Sequence, residues 1–108
     1  MGYFTSFNLT TSVNNEIDHY NILEELRSEN ECARYALTKN GEVSDTTKWY
    51  NHEKDMREFS KKHPNVLFIL RGEGETNSDM WIKYFKNGKM QSCKATIVYP
   101  DYNEAELE

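Results

Sequence analysis

The dipeptide Asn87-Gly88 constrains the fold most, because it lies between two segments in which apolar and polar residues alternate. Asn-Gly in this setting is the signature of a two-residue type I′ β-hairpin turn. A two-residue turn fixes the register, so residues 80–86 are expected to pair with residues 89–99. The register predicts seven pairs along the hairpin: Lys86 with Lys89, Phe85 with Met90, Tyr84 with Gln91, Lys83 with Ser92, Ile82 with Cys93, Trp81 with Lys94, and Met80 with Ala95.

Successive side chains of a strand point to opposite faces, so the register divides the hairpin into two faces. The first face is almost wholly apolar, and we expect it to pack under helices: Met80, Ile82, Tyr84, Cys93, Ala95 and Ile97. The second face, which we expect to be open, interleaves large apolar side chains with lysines: Trp81, Lys83, Phe85, Met90, Lys94 and Val98. Exposed aromatic residues indicate an interaction site, so we predict partner binding by Trp81, Lys83, Phe85, Met90 and Lys94. A covering by the first segment or the acidic tail of the chain is the alternative.

Periodicity and capping residues predict the elements before the hairpin. Two helices are expected, at residues 16–29 and 52–62, the second beginning at the N-cap Asn51. Strands are expected at residues 3–12 and 66–70, the latter central and covered on both faces, and residues 71–75 either continue it or leave it through glycine. Residues 44–50 are expected to form a short strand or an extended entry, with Trp49 and Tyr50 as anchors. Residues 32–38 fit either a helix or a strand.

This order of elements predicts an α+β fold. Two helices suffice to cover one face of a sheet, so we expect a two-layer, ferredoxin-like sandwich with an antiparallel or mixed sheet and both helices on one face. A length of 108 residues fits one domain, which we place at residues 1–99, followed by an acidic C-terminal tail at 100–108. The sequence contains no apolar run long enough for a membrane span and no signal-peptide pattern at its start, so we expect a cytoplasmic protein with reduced cysteines.

Charge points to the kind of partner. The net charge of −5 disfavours direct binding to nucleic acid and favours basic surfaces. Four carboxylates fall within eight residues along and just after the first predicted helix: Glu24, Glu25, Glu29 and Glu31. We predict these residues as a second partner-binding surface, which could act as a decoy for nucleic acid. A solvated helix face is the alternative.

Catalytic and metal chemistry has one candidate location. Glu73 and Glu75 alternate along an extended segment, and Asp79 follows shortly. Three carboxylates could hold a hard divalent cation, but a solvated rim beside a turn explains them equally. No nucleophile, acid/base partner and orienting group can be assembled from the other residues. We therefore expect no catalytic residue, metal or cofactor, and keep a metal-dependent enzyme at these three residues as an alternative.

Several short motifs between residues 38 and 99 resemble a set of small, ferredoxin-like proteins carried on phages, plasmids and other mobile elements. The motifs are Lys48-Trp49-Tyr50-Asn51-His52-Glu53, Phe59-Ser60-Lys61-Lys62-His63-Pro64, Gly72-Glu73-Gly74-Glu75, Asp79-Met80-Trp81 and Tyr84-Phe85-Lys86-Asn87-Gly88. The resemblance implies an accessory protein of a mobile element. Small acidic proteins of such elements often bind and block a host defence complex, sometimes by imitating the charge of nucleic acid.

These observations lead to one functional hypothesis and two alternatives. The hypothesis is a non-enzymatic, anti-CRISPR-like inhibitor that occupies the surface of a host protein or protein–nucleic-acid complex. The first alternative is a single-stranded nucleic-acid-binding protein that stacks bases on Trp81 and Phe85 while Lys83 and Lys94 contact phosphates. The second is the metal-dependent enzyme. A second copy of the chain is a further candidate for the partner of the aromatic face.

Overall fold

The computed structural model of the chain describes residues 4–75, 79–94 and 102–107. Four strands form one antiparallel sheet whose order β1-β2-β3-β4 follows the chain. The elements are β1 (Ser6–Thr11), α1 (Glu16–Glu29), α2 (Glu31–Ala36), α3 (His52–Ser60), β2 (Phe68–Glu73), β3 (Met80–Lys86), β4 (Lys89–Lys94) and a 3₁₀ turn at Glu104–Glu106. The predicted α+β class is confirmed: the sheet forms one layer, and the helices that pack on one of its faces form the other. All three helices lie between β1 and β2.

Helices α1 and α2 are joined by a single residue that ends one and caps the other. Asn15 begins α1 by accepting a hydrogen bond from the backbone N–H of Asp18 at 2.8 Å. The N–H of Asn30 closes α1, and its side-chain oxygen then accepts from the N–H of Ala33. Of residues 32–38, which the sequence left open, residues 32–36 are therefore helical, and Leu37 forms an isolated antiparallel bridge with Val43. Helix α2 buries Ala33 and Ala36 against the core.

The predicted strand at residues 44–50 is wrong. In place of a strand, this segment forms an isolated bridge between Thr47 and Thr5, the residue before β1. Asp45 explains part of this, because its carboxylate accepts the N–H of Thr46 in a local turn that competes with a ladder. Trp49 still acts as the predicted anchor, since it is 1% exposed. Tyr50, the second expected anchor, is 62% exposed.

Helix α3 confirms the second predicted helix, with its end two residues earlier than expected. Asn51 holds the N-cap position, although its side chain makes no capping hydrogen bond. The last residue, Ser60, is fully buried and accepts the N–H of Gly88 at 2.8 Å. This bond ties α3 to the hairpin turn, where Asn87 and Gly88 have positive φ values of 48° and 79°. Those values are the ones a type I′ turn requires.

The predicted register of the hairpin is confirmed at six pairs, from Lys86–Lys89 to Trp81–Lys94, and the seventh, Met80 with Ala95, lies outside the described residues. Strand β2 is central, as expected, but it is covered on one face only. Phe68, Leu70 and Gly72 are buried, whereas Arg71 and Glu73 on the opposite face are exposed. Residues 66–70 are all apolar, and polar residues begin to alternate with apolar ones only at Arg71. For this reason the sequence suggested a strand covered on both faces.

The covered face of the sheet is organised in rows that cross the strands. One row joins Phe7, Gly72, Trp81 and Lys94, a second joins Leu9, Leu70, Lys83 and Ser92, and a third joins Thr11, Phe68, Phe85 and Met90. The helices contribute the other half of the core from side chains that are at most 8% exposed: Ile22, Leu23, Leu26, Ala33, Ala36, Met56 and Phe59.

Candidate functional site

The structure reverses the predicted faces of the hairpin. Phe85 is completely buried, and Trp81 and Met90 pack against the core. The expected open patch of Trp81, Lys83, Phe85, Met90 and Lys94 is therefore wrong as a surface: these residues lie on the helix-covered side. Conversely, Met80, Ile82, Tyr84 and Cys93 lie on the face opposite the helices. Ala95, Ile97 and Val98 fall outside the described residues.

Lys83 lies on the covered face because α3 supplies its partners. Its ammonium group donates to Nε2 of His52 at 2.7 Å and forms an ion pair with Glu53 at 3.0 Å. The same nitrogen lies 4.2 Å from the centre of the Trp81 indole ring, and the side chain is only 12% exposed. The three interactions satisfy an ammonium that would otherwise be costly to bury. The hydrogen bond from Lys83 is also the main reason why the pKa of Glu53 is below its usual value.

His52 is the centre of this cluster. Its ring stacks on Trp81 with centroids 4.9 Å apart, and its Nδ1–H donates to the carbonyl of Trp49 at 2.7 Å. That bond leaves Nε2 as the acceptor for Lys83, so the geometry requires a neutral imidazole. Burial, followed by the charge of Lys83, lowers the pKa of His52, although the Trp49 carbonyl and the carboxylates of Glu53 and Asp55 oppose the shift.

We expect the protein to lose stability as the pH falls below 6.5, the ordinary pKa of histidine. Because the pKa of His52 is lower in the folded state, the unfolded chain binds more protons in this range, and protonation favours unfolding. Glu53 acts in the same direction at lower pH, since its carboxylate is stabilised only in the folded state. Denaturant unfolding at about pH 7.5 and about pH 5.5 measures the effect.

The matched variant for this measurement is His52→Gln, which keeps a hydrogen-bonding side chain without a titration. His19 and His63 are present in both proteins, so the difference between the two pH profiles isolates His52. The variant should lose less stability than the wild type between the two pH values. Parallel profiles would show that His52 remains neutral or equally protonated in both states.

The opposite, uncovered face of the sheet contains a groove of about 530 Å³. Residues of all four strands line it, together with Val43 from the loop beside β1: Ser6, Asn8, Thr10, Arg71, Gly72, Glu73, Met80, Trp81, Ile82, Cys93 and Lys94. A volume of this size accommodates a small molecule or several side chains of a peptide. Among the described residues, no helix contributes to its lining, so the groove is open to solvent.

Arg71 occupies the middle of this face. It stands on the central strand β2, with Asn8 beside it on β1 and Ile82 beside it on β3. The residue is exposed, and within the described parts of the chain its guanidinium has no carboxylate within ion-pair distance. Sequence reasoning missed Arg71 because it left open whether residues 71–75 continue the strand. The alternation of Ile69, Arg71 and Glu73 with Leu70 and Gly72 is the signal that could have revealed it.

The acidic surface predicted on the first helix is largely paired in the structure. Glu24 forms an ion pair with Arg27 and Glu29 with Lys62, and Glu25 is in hydrogen-bond contact with Nε2 of His63 at 3.0 Å. Glu31 is exposed in the first turn of α2, where a helix favours negative charge. These basic partners offset much of the negative charge of the surface. A nucleic-acid decoy needs that charge, because it must present an uninterrupted negative field to its partner.

The carboxylates proposed for metal binding do not converge. Glu75 instead accepts a hydrogen bond from the backbone N–H of Phe4 at 2.8 Å, and Glu73 faces the groove. In the parts of the chain that the structure describes, no three His, Cys, Asp or Glu side chains are arranged to hold a metal ion. Both cysteines are free thiols, and burial raises the pKa of Cys32, with Asp55 and Glu31 adding to the effect.

Comparison of the chain with protein-family models, with curated proteins and with solved structures gives no significant match. The resemblance to proteins of mobile elements therefore stays a prediction from the motifs. Across residues 4–75, 79–94 and 102–107, no helix combines the length and the apolar character needed to cross a bilayer.

Proposed function

We propose that this chain is a non-enzymatic binding protein whose sheet groove takes a short acidic and apolar segment of a protein partner. The observation that carries the proposal is Arg71, which is exposed at the centre of the groove and has no ion-pair partner among the described residues. A guanidinium binds a carboxylate through two parallel hydrogen bonds, which gives both affinity and orientation. The groove therefore has a specific place for an acidic side chain.

The surroundings of Arg71 favour a peptide that is apolar on either side of its acidic residue. Met80 is 46% exposed at one end of the groove, and Ile82 lies directly beside Arg71 on β3. Such apolar side chains gain stability when a partner removes them from water. Lys94 also lines the groove, but its side chain lies on the helix-covered side, as that of Trp81 does. Glu73 is the one acidic residue among the described residues of the lining.

A protein partner fits these features better than a nucleic acid does. A polyanion would meet a protein of net charge −5, and the described residues of the groove face offer it one arginine, Arg71, beside the carboxylate of Glu73. The nucleic-acid hypothesis requires Phe85 to be exposed so that bases can stack on it, but Phe85 is buried. Two charges and a mixed apolar surface are instead typical of a protein interface.

Charge reversal at the centre of the groove tests the proposal. The wild-type chain, Arg71→Glu and Arg34→Glu are immobilised and exposed to nuclease-treated host lysate. Arg34 is an exposed arginine of α2, so its reversal makes the same change in net charge away from the groove. We expect proteins that bind the wild type and Arg34→Glu to bind Arg71→Glu at least about tenfold more weakly, a difference of about 1.4 kcal/mol. Equal retention by all three proteins would contradict the groove as the binding site.

The identity of the partner is a second part of the proposal. We infer a defence complex of the host of a mobile element, and the motif resemblance is the support for it. Proteins retained through Arg71 are identified by mass spectrometry, and the nuclease activity of each retained complex is measured with and without the chain. Inhibition that Arg71→Glu abolishes is expected. Inhibition that persists in Arg71→Glu but disappears in a Glu24→Gln, Glu25→Gln, Glu29→Gln variant would move the inhibitory surface to α1.

A further inference from the structure

Residues 102–107 form a separate acidic and apolar segment, which we call the acidic segment. Asn103 caps its 3₁₀ turn by accepting the N–H of Ala105 at 3.0 Å. Glu104 and Glu106 supply two carboxylates, and both are exposed. The apolar side chains are also unburied, since Tyr102 is 75% exposed and Leu107 is 64% exposed. A short turn with this much free apolar surface gains stability if it docks against another surface.

We propose that the acidic segment of one chain occupies the sheet groove of a second copy, so that two chains exchange segments in a symmetric dimer. This inference rests on the proposed function, because it fills the same groove. The chemistry of the two surfaces is complementary. The carboxylates of Glu104 and Glu106 match the guanidinium of Arg71, and the free apolar side chains match Met80, Ile82 and Val43.

The exposure of the acidic segment distinguishes this arrangement from self-docking within one chain. With Tyr102 and Leu107 largely exposed, the segment does not fill the groove of its own chain. Tyr102 follows Lys94, the last residue of β4, by eight residues. Eight residues span at most about 29 Å when fully extended, which is long enough to reach a neighbouring molecule. In a symmetric exchange between two identical chains the same contact forms twice. The two contacts together hold the dimer more strongly than one weak contact would.

The dimer has a consequence for function. A chain whose groove holds the acidic segment of its neighbour cannot hold a partner's segment at the same site. Partner binding and self-association therefore compete, and each shifts the other by mass action. At high concentration the groove of each chain is occupied by the acidic segment of the other chain. Dilution, or a ligand that binds the groove more tightly, frees it.

Sedimentation equilibrium of the full chain over a range of concentrations tests the exchange. The wild type and the control Arg34→Glu should dimerise. Arg71→Glu should weaken dimerisation at least about tenfold, and so should Glu104→Lys with Glu106→Lys. Combining all three changes restores opposite charges across the interface, so dimerisation should recover toward the wild-type level. Recovery identifies a direct charge contact, which a general loss of folding could not produce.

A synthetic peptide of residues 101–108 provides the second measurement. Added to the wild-type dimer, it should produce monomers, whereas the same peptide with lysine at positions 104 and 106 should leave the dimer intact. A wild-type chain that is monomeric at every concentration, or a dimer that is insensitive to both Arg71→Glu and the peptide, overturns the exchange. A monomer that still captures lysate proteins through Arg71 would overturn the exchange while leaving the proposed function in place.

Discussion

Replacing Phe85 by alanine is expected to lower the free energy of unfolding by about 3–5 kcal/mol. The side chain has no exposed surface and lies in the row formed by Thr11, Phe68 and Met90, so its removal leaves a cavity that the sheet cannot close. Tyr84, its neighbour in sequence, points to the groove face and is partly exposed. Tyr84→Ala should therefore cost about 1 kcal/mol or less, mainly through cross-strand contacts.

Denaturant unfolding of the wild type and both variants measures the two costs under one condition. The comparison is sharp because the residues are adjacent on β3 and both are aromatic, so strand propensity changes similarly in the two variants. The sequence prediction of the faces implied the reverse order, with Tyr84 the costlier residue. A larger loss from Tyr84→Ala than from Phe85→Ala would mean that the helices cover the other face.

The hairpin shows which part of the fold the sequence determines. Turn chemistry is local, so Asn87-Gly88 sufficed to predict every described pair between β3 and β4. The same alternation divides the side chains into two sets but does not say which set the helices cover. Both sets contain large apolar residues, and the choice depends on the neighbouring strands. Phe7, Leu9, Phe68 and Leu70 decide it, through pairings that link residues about sixty positions apart.

The candidate site was harder to predict for the same reason. Lys83 suggested an exposed strand position, but His52 and Glu53 arrive from α3 to satisfy its charge. Glu25 and Glu29 suggested free acidic surface, yet the residues that pair with them follow α3, more than thirty positions later. Long-range pairing of charges leaves no periodic pattern in the sequence. The alternation of residues 69–73 could place Arg71 on the uncovered face, but that no described carboxylate pairs with it could be recognised only from the structure.

Replacing Gly72 by alanine is expected to destabilise the protein by about 1–3 kcal/mol, despite alanine's better strand entropy. Gly72 stands opposite Trp81 on β3, and a Cβ atom added to it would overlap the indole ring. The ring cannot move freely, because it stacks on His52 and contacts the edge of Phe7 at a centroid distance of 5.9 Å. The glycine is therefore required by the close approach of an aromatic side chain across the sheet.

A double-mutant cycle with Trp81→Leu identifies the cause of this loss. If the indole is the obstacle, Gly72→Ala in the Trp81→Leu background should be neutral or stabilising by up to about 1 kcal/mol, the usual gain when alanine replaces glycine in a strand. Denaturant unfolding of the four proteins gives the coupling between the two sites. An equal penalty in both backgrounds would place the obstacle in the backbone of β2. A reversal of sign would show that Gly72 and Trp81 form one packing unit, which also positions His52 above the ring.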